Sequence, residues 1–408
     1  MPVPHSRREF LYGLSASAAA LAPGPPDEAY WGAIRAQFAF DEACVPMNAA
    51  NLCPSPRAVA ERVTELTRDI DRDCSFQNRA KFSKLLEEAR AKVAAHLGVS
   101  AGEIALVRNT SEANNTINNG LPLKHGDEVV LWDQNHPTNN VAWDVRAARA
   151  GLVVRRVSVP RQPREAGELV AVFERAFSPR TRVLAITHVS NVSGVRLPVR
   201  ELCDAAHRRS IFVHVDGAQS WGALAVDLRA LDCDSYSGSA HKWFMGPKEA
   251  GVLYVRAERI AGIWPNTVGA DWGKDAETKL KGARKFESLG QRDDACLAAV
   301  ATTADFHHRI GPERIEARVL ELATRLKDGL AETGARLVTP REKSLSAGVC
   351  IIEAPDGRAP VVFEELYRQY GIAGAPTGGL RLSPHIYNTP AHVARAIRGV
   401  NALLGKIV

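Results

Sequence analysis

The sequence predicts an α/β protein, with a large domain on a doubly wound, mainly parallel β-sheet and a smaller C-terminal α+β domain. The 408 residues exceed what a single hydrophobic core usually holds. Short apolar runs alternate with helical patterns from about residue 55 to 256, which is typical of a parallel sheet with crossover helices. Beyond about residue 295, long helical patterns dominate, and two strand-like pieces interrupt them.

The elements of the large domain follow from their residue patterns. Apolar residues at three-to-four spacing predict helices over 57–72 and 79–98, the second ending at Gly98. Seven apolar runs without this spacing predict strands, and because most are nearly continuous, we expect a sheet covered on both faces. The strands are expected at residues 104–107, 128–132, 152–159, 183–189, 211–216, 234–239 and 251–255.

The smaller domain has its own pattern. Helices are predicted over 314–334 and 391–404, and strands within 347–354 and 378–384. The expected division is therefore an N-terminal arm over 25–50, a large domain over 51–295 and a small domain over 296–408.

The first two dozen residues form a separate segment. Arg7 and Arg8 precede Phe10, Leu11 and a short, weakly apolar run of small residues. This order is typical of a twin-arginine signal, and the run is too short for stable membrane insertion. We expect residues 1–24 to direct the protein through the Tat translocase to the periplasm. A basic amphipathic helix is the alternative.

Composition narrows the classes of function. The net charge of +6 comes from scattered arginines, so nucleic-acid binding is not expected. A 45% hydrophobic content without repeats indicates a globular protein. The seven cysteines form no CxxC pair, so neither a metal site nor a redox pair is expected, and one or two disulfides remain open.

Candidate site residues lie where predicted strands end, which is where parallel sheets bind ligands. Asp216 ends one strand, and its carboxylate can pair with a cation. Lys242 lies in SGSAHKWFMGP, where burial can keep an amine partly neutral for covalent chemistry. Asn109 predicts a helix N-cap with Glu112 in the capping-box position, so the N–H groups of residues 110–112 can bind a phosphate.

An amine, a carboxylate and a phosphate site together match pyridoxal 5′-phosphate. Its aldehyde suits the lysine, its ring nitrogen suits the aspartate, and its phosphate suits the helix start. This cofactor withdraws electrons from the Cα of an amino acid. The sequence therefore predicts a pyridoxal-phosphate enzyme with a small-molecule, amino-acid-type substrate.

An ordered set of motifs resembles the class V aminotransferase superfamily of fold-type I enzymes, which includes cysteine desulfurases and isopenicillin N epimerase. The resemblance spans roughly residues 48–400, and GQRD and YNTP are closer to the isopenicillin N epimerase-like branch. The motifs are NTSEANN, NHPTNNVAW, THVSNVSG, HVDGAQSWG, SGSAHKWFMGP, FESLGQRD and LRLSPHIYNT.

The resemblance implies a role for each site residue. Lys242 would bond to the cofactor and later move the Cα proton, Asp216 would pair with the ring nitrogen, and His136 would stack on the ring. Arg381 would bind the substrate carboxylate as a bidentate fork. The other cofactor ligands would be Asn191 and Gln219 at the phenolic oxygen, and Thr110, Ser111, Ser239 and His241 at the phosphate.

Plain structural roles remain open beside these. His136 could cap a loop, Thr110 and Ser111 could be helix caps only, and Arg381 could be a salt-bridge partner. Two more histidines, His188 and His214, are expected to be structural.

Two positions depart from the family pattern. Cysteine desulfurases carry a nucleophilic cysteine before the carboxylate-binding arginine, but residues 370–384 contain none, so persulfide chemistry is disfavoured. Gln291 stands where many relatives have a threonine that donates to the phosphate of the neighbouring subunit in a homodimer. Its amide is expected to serve the same role as a cofactor ligand, and a different subunit contact is the alternative. A homodimer is still expected.

The function expected is that of an exported enzyme acting at the Cα of an amino acid or amino-acid-containing metabolite. It would be epimerase- or aminotransferase-like, with the tailoring of a siderophore peptide as one role. The alternatives are a C–S lyase and a non-catalytic fold-type I binding protein. The substrate and the Cα bond that breaks stay open, with Trp264, Trp272 and Arg79 as candidate substrate contacts.

Overall fold

The computed structural model describes residues 26–269, 281–354 and 357–405, so the expected signal over 1–24 lies outside the described residues. The strands are β1 (Val45–Pro46), β2 (Ile104–Val107), β3 (Glu128–Trp132), β4 (Val153–Val157), β5 (Thr181–Thr187), β6 (Phe212–Asp216), β7 (Ser235–Ser239), β8 (Gly251–Val255), β9 (Cys350–Ile352), β10 (Ile372–Ala373) and β11 (Leu380–Leu382). The α-helices are α1 (Glu28–Arg35), α2 (Arg57–Arg72), α3 (Phe76–Arg79), α4 (Lys81–His96), α5 (Thr110–Gly120), α6 (Pro137–Ala150), α7 (Ala166–Ala176), α8 (Val199–His207), α9 (Leu228–Leu231), α10 (Ala257–Ile260), α11 (Asp294–Ile310), α12 (Pro312–Glu332), α13 (Ala359–Tyr370) and α14 (Pro390–Gly405).

The large domain of the described chain contains a seven-stranded sheet in the order β2-β8-β7-β6-β5-β3-β4. Strand β8 runs antiparallel to both of its neighbours, and the other neighbouring pairs are parallel. The seven strands predicted from apolar runs are therefore confirmed, as is the doubly wound, mainly parallel sheet. Strands β9 and β11 form a separate antiparallel pair in the C-terminal part of the chain.

Alternate residues of the central strands enter two different cores. In β3, Val130 and Trp132 join the core on one face, and Val129 and Leu131 join the core on the other. This explains why these strands read as continuous apolar runs. Strand β4 differs, because Val157 is its one buried residue. The expected burial on both faces is wrong for β4, which is an edge strand.

Helix α11 is a long helix that the spacing of apolar residues did not predict. Buried alanines lie on nearly all of its faces, among them Ala295, Ala299 and Ala304, so its apolar residues show no three-to-four spacing. It packs against α2 and α4, which belong to the large domain. This packing crosses the expected domain boundary between residues 295 and 296.

The N-terminal arm also packs with the smaller domain. Strand β1 pairs in parallel with β10, and Val45 and Met47 lie in the core that α12, α13 and α14 build around β9 and β11.

All seven cysteines are free thiols. No helix in residues 26–269, 281–354 or 357–405 is both long enough and apolar enough to cross a membrane.

The ends of three adjacent strands define one edge of the sheet. Thr187 at the end of β5 pairs with Asp216 at the end of β6, and Asp216 pairs with Ser237 of β7. The chain leaves β7 at Ser239 and turns directly to Lys242. Several of the candidate residues therefore meet at the carboxyl edge of the sheet, as the sequence predicts.

Candidate active site

Lys242 lies in a tight turn that follows β7. The Gly246 N–H donates to the Ala240 carbonyl at 2.7 Å, and the Met245 N–H donates to the Lys242 carbonyl at 2.9 Å. Met245 adopts a left-handed conformation, with φ of 55°, which is costly for a residue with a side chain. The surrounding packing must therefore hold this turn in place.

That packing comes from the aromatic residues after Lys242. Trp243 and Phe244 are fully buried, and Phe244 stacks on Trp221 with the ring centres 4.0 Å apart. His385 Nε2 lies 2.7 Å from the Trp243 carbonyl oxygen, and His307 Nε2 lies 2.9 Å from that of Phe244. The motif around Lys242 is thus a rigid support for one amine.

The Lys242 amine is available for chemistry. Burial lowers its pKa below the ordinary value, an effect that the Asp216 charge opposes and the Arg381 charge reinforces. The hydrogen bonds and ion pairs of the described residues do not include its Nζ atom. A lowered pKa raises the neutral fraction of the amine, which is the nucleophilic and basic form.

Asp216 is almost completely buried and is held by two donors. The Asn114 amide donates to Oδ2 at 2.8 Å, and the Ala218 N–H donates to Oδ1 at 3.0 Å. The next residue, Gly217, packs so tightly on Tyr236 that a Cβ at that position would lie 1.9 Å from the tyrosine ring. Each carboxylate oxygen accepts one of these bonds, so Asp216 has further lone pairs that can accept from a cationic N–H.

The start of α5 meets the end of β7. The Thr110 N–H donates to Ser239 Oγ at 2.8 Å, and the hydroxyl groups of the two residues are also 2.8 Å apart. Ser111 Oγ donates weakly to Thr138 Oγ1 at 3.4 Å. Burial, with the charges of Lys242 and Lys248, lowers the pKa of His241 to about 4.

The cap of α5 differs in detail from the prediction. Asn109 is the N-cap as expected, and its Oδ1 accepts from the Glu112 N–H at 3.0 Å. Glu112 bonds back to the Arg108 N–H at 2.7 Å, and not to that of Asn109. Because the N–H groups of residues 110 and 112 already have acceptors, the Ser111 N–H is the one of the three without an acceptor in the described chain.

His136 caps the start of α6. Its Nδ1 accepts from the Thr138 N–H at 3.3 Å and lies 2.8 Å from Thr138 Oγ1. Burial lowers its pKa, and the charges of Lys242 and Arg381 lower it further, while Asp216 opposes them. The ring is therefore close enough to these three groups to interact with them. Its capping role is shown, and its stacking on a cofactor stays a prediction.

Arg381 on β11 is buried without a carboxylate partner. Its Nη1 donates to the Asn191 carbonyl at 3.1 Å and its Nη2 to Asn48 Oδ1 at 3.2 Å, while its Nε is buried with no partner in the described residues. Burial lowers its pKa to about 10. The other two buried arginines of the described chain, Arg90 and Arg318, each bond to glutamates. A salt bridge within the described chain therefore does not explain why Arg381 is buried.

The side chains of Asn191 and Gln219 differ in how much hydrogen-bonding capacity they have left for a ligand. Asn191 bonds through its backbone, and no partner of its side chain appears in the described chain. The Gln219 amide donates to the Ala50 carbonyl at 2.9 Å and accepts from Trp243 Nε1 at 2.8 Å. One N–H of Gln219 remains for a ligand oxygen.

The remaining candidates differ in their exposure and in their contacts. Gln291 is exposed, and its Oε1 accepts from Arg79 Nη2 at 2.8 Å, so Arg79 is already engaged. Trp264 is 66% exposed, whereas Trp272 lies outside the described residues. His188 and His214 are fully buried, and burial lowers the pKa of each to about 3, so both are neutral as structural histidines would be.

Sequence reasoning missed the residues behind Asp216 and Arg381. Asn114 follows Thr110 by one helical turn, which places both on one face of α5 and is a signal that could have indicated it. Asn48 is distant in sequence from Arg381 and carries no local signal.

The sequence profile described as aminotransferase class-V matches residues 54–396. The chain belongs to the class-V aminotransferase family. Isopenicillin N epimerase from Streptomyces clavuligerus is 30% identical over 393 residues, which cover 92% of this chain and 99% of that protein.

Solved structures of other proteins show the same fold. A mutant of C-DES with glycine linked to its pyridoxal-phosphate cofactor has a TM-score of 0.82 at 22% identity, covering 90% of this chain and 98% of that one. C-DES is a cystine C–S lyase. The cysteine desulfurase CsdA from Escherichia coli has a TM-score of 0.81 at 25% identity, covering 93% and 99%. The expected fold-type I architecture is confirmed.

Class-V aminotransferases depend on pyridoxal 5′-phosphate, and the residues present fit this cofactor. The Lys242 amine is unengaged, the Asp216 carboxylate is buried with lone pairs to spare, and the buried Nδ1 of His241 has no partner in the described chain. The paired hydroxyls of Thr110 and Ser239 can both turn toward a phosphate. When bound, the cofactor supplies a conjugated ring that accepts electrons from the substrate Cα.

Proposed function

We propose that this class-V aminotransferase acts at the Cα of an amino acid or amino-acid-containing metabolite, as an epimerase- or aminotransferase-like enzyme. The observation that carries the proposal is the buried Arg381 guanidinium, which has no carboxylate partner in the described chain. A buried cation of this kind is stabilised by an anion that the ligand brings. An α-carboxylate is such an anion and is bonded directly to Cα.

The residues around this anchor can handle a Cα proton. The charge of Arg381 lowers the pKa of Lys242, so the two groups are close enough to interact. A substrate carboxylate held at Arg381 therefore keeps Cα near the Lys242 amine, whose neutral form can accept a proton there. When the cofactor is bound, Asp216 would hold its ring nitrogen, and the pKa of the nearby His136 responds to the charges of Lys242, Asp216 and Arg381.

The epimerase-like direction is supported by a relative that covers nearly the whole chain. The Streptomyces clavuligerus protein named isopenicillin N epimerase aligns with 92% of this chain. The reaction is tested by incubating purified holoenzyme with a panel of amino acids and short peptides in D2O. Deuterium at Cα with loss of optical rotation supports epimerisation, and formation of a keto acid supports transamination. If no substrate exchanges its Cα proton or perturbs the cofactor absorption, the non-catalytic binding alternative replaces this proposal.

The first measurement establishes the cofactor and its lysine together. The near-visible absorption of the purified protein is recorded before and after borohydride, in wild type and in Lys242→Ala. A band that borohydride fixes onto the peptide containing Lys242 supports the proposed role. A protein that stays colourless with added pyridoxal phosphate contradicts it.

C–S lysis is the second candidate, because a specific observation favours it over desulfuration. The six residues between β10 and β11, 374–379, contain no cysteine, and Ala375 exchanges both of its backbone hydrogen bonds with Arg381. A lyase of the C-DES kind does not need the desulfurase cysteine. Pyruvate and a persulfide released from cystine would favour the lyase, and unchanged cystine would exclude this candidate.

We also propose export to the periplasm through the Tat translocase, supported by the Arg7, Arg8, Phe10 and Leu11 pattern. Among exported amino-acid-containing substrates, siderophore peptides are the class we propose to test. Cell fractionation of the full-length protein and of the Arg7→Lys, Arg8→Lys double variant is the test of location. Equal periplasmic amounts of both would contradict twin-arginine export.

A homodimer is proposed with Gln291 at the contact, since this side chain is exposed in the single chain. Light scattering after size-exclusion chromatography measures the mass of the assembly. A mass equal to one chain would contradict the proposal.

A further inference from the structure

A buried hydrogen-bonded chain extends from Asp216 into the protein interior. Asn114 Nδ2 donates to Asp216 Oδ2 at 2.8 Å, and Asn114 Oδ1 lies 2.9 Å from His214 Nε2. The other nitrogen of His214, Nδ1, lies 2.8 Å from Ser235 Oγ. Ser237 Oγ donates to the same Asn114 Oδ1 at 2.6 Å. All five side chains are at most 2% exposed, so water does not substitute for these bonds.

The partners of the Asn114 amide fix which way it points. The Asp216 carboxylate can only accept hydrogen bonds, so the amide NH2 must face Asp216 and the amide oxygen must face His214 and Ser237. In the flipped orientation two oxygens would meet at 2.8 Å. The Asn114 side chain is therefore set as a donor to Asp216.

The partner of the amide oxygen is a neutral histidine. Because Asn114 Oδ1 accepts, His214 must carry its proton on Nε2, and its Nδ1 then accepts from the Ser235 hydroxyl. Burial lowers the pKa of His214 to about 3, so the ring adds no positive charge behind Asp216. The Asp216 carboxylate thus accepts from oriented dipoles, and no cationic ring lies behind it.

We propose that Asn114 and His214 are positioning residues for Asp216, and that His214 with Ser237 orients the Asn114 amide as a donor to the carboxylate that would face the ring nitrogen of the cofactor. The inference rests on the proposed function, since it requires pyridoxal phosphate at Asp216. Neither residue needs to touch the substrate. The electron-accepting strength of the bound ring would then depend on a histidine buried behind it.

The test reads the protonation state of the cofactor directly. Wild-type protein and the variants Asn114→Leu, His214→Asn and His214→Gln are loaded with pyridoxal phosphate labelled with 15N in the ring. The 15N chemical shift is measured at neutral pH, and the cofactor Kd is measured by titration of the cofactor-free protein. Glutamine places an amide nitrogen near the position of histidine Nε2, whereas asparagine is too short to reach Asn114.

Asn114→Leu and His214→Asn are expected to move the 15N shift toward that of an unprotonated ring. Each is also expected to raise the cofactor Kd, by about 10-fold to 100-fold for the loss of a hydrogen bond to a charged group. His214→Gln is expected to restore most of the wild-type shift, which a purely structural role of His214 would not predict.

Asn118 provides a matched control, because it lies one turn further along α5 and is also buried. Its amide has no hydrogen-bond partner in the described chain. Asn118→Leu should leave the 15N shift unchanged. The inference is overturned if folded Asn114→Leu and His214→Asn keep the wild-type shift and Kd, or if Asn118→Leu moves the shift equally. If wild-type protein binds no cofactor, the proposed function itself fails.

Discussion

Replacement of Arg381 separates a functional arginine from a structural one. A guanidinium has five N–H groups, and in Arg381 two of them are used by Asn191 and Asn48. The remaining three, which include the unpartnered Nε–H, can bind a carboxylate through two charge-assisted hydrogen bonds. At about 1.5–3 kcal/mol each, their loss in Arg381→Met amounts to about 3–6 kcal/mol. This predicts a fall in kcat/KM of about 10² to 10⁴.

The free energy of unfolding provides a second comparison, between Arg381→Met and the replacement of another buried arginine. Arg90 is as buried as Arg381, but it forms a bidentate pair with Glu287, including a bond of 3.0 Å from Nη2 to Oε2. Arg90→Met leaves that carboxylate unpaired and should cost about 3–5 kcal/mol of unfolding free energy. Arg381→Met leaves no carboxylate unpaired, so it should cost less than Arg90→Met.

The assay combines urea unfolding of cofactor-free protein with steady-state kinetics on the substrate that the Cα-exchange panel identifies. Arg381→Lys keeps the charge but not the planar fork, so its activity should lie between those of wild type and Arg381→Met. The reasoning is refuted if Arg381→Met keeps the wild-type kcat/KM, or if it destabilises the fold as much as Arg90→Met.

Three further predictions follow from the site. Thr110→Val and Ser239→Ala should each weaken cofactor binding by about 10-fold to 100-fold through loss of a phosphate hydrogen bond, measured as Kd, while Asn118→Leu should not. In the cofactor-free protein, burial lowers the pKa of Lys242, so between that value and the unfolded one the unfolded chain binds more protons. Wild type should therefore gain stability relative to Lys242→Met as the pH rises through this window, and a constant difference in unfolding free energy would contradict it. Burial also lowers the pKa of His385 to about 4, so stability should fall by about 1.4 kcal/mol per pH unit for this residue as the pH drops from about 6.5 to 4. The slope measured by urea unfolding should be smaller in His385→Gln, and an equal slope would refute this.

Much of the fold could be predicted because its signals are local. The seven strands of the main sheet were predicted from short apolar runs and helix α2 from three-to-four spacing, and both signals depend on neighbours in the chain. Helix α11 was not, because it is buried on nearly all faces and its pattern therefore loses the helical period. The exposed edge strand β4 was expected to be covered, because a short apolar run does not report whether a strand ends the sheet.

The sequence alone was enough to assign the family, and it predicts which residues would carry the chemistry: the supported lysine, the strand-end Asp216 and the helix start. Only the tertiary structure decided the burial of these residues and their hydrogen-bond partners. The Asn114 donor to Asp216 comes from 102 residues away in the chain, and the Asn48 acceptor for Arg381 from 333. Side-chain hydrogen bonds and burial depend on which segments the fold brings together, and this is why no local pattern could reveal that Arg381 lacks a carboxylate partner in the described chain.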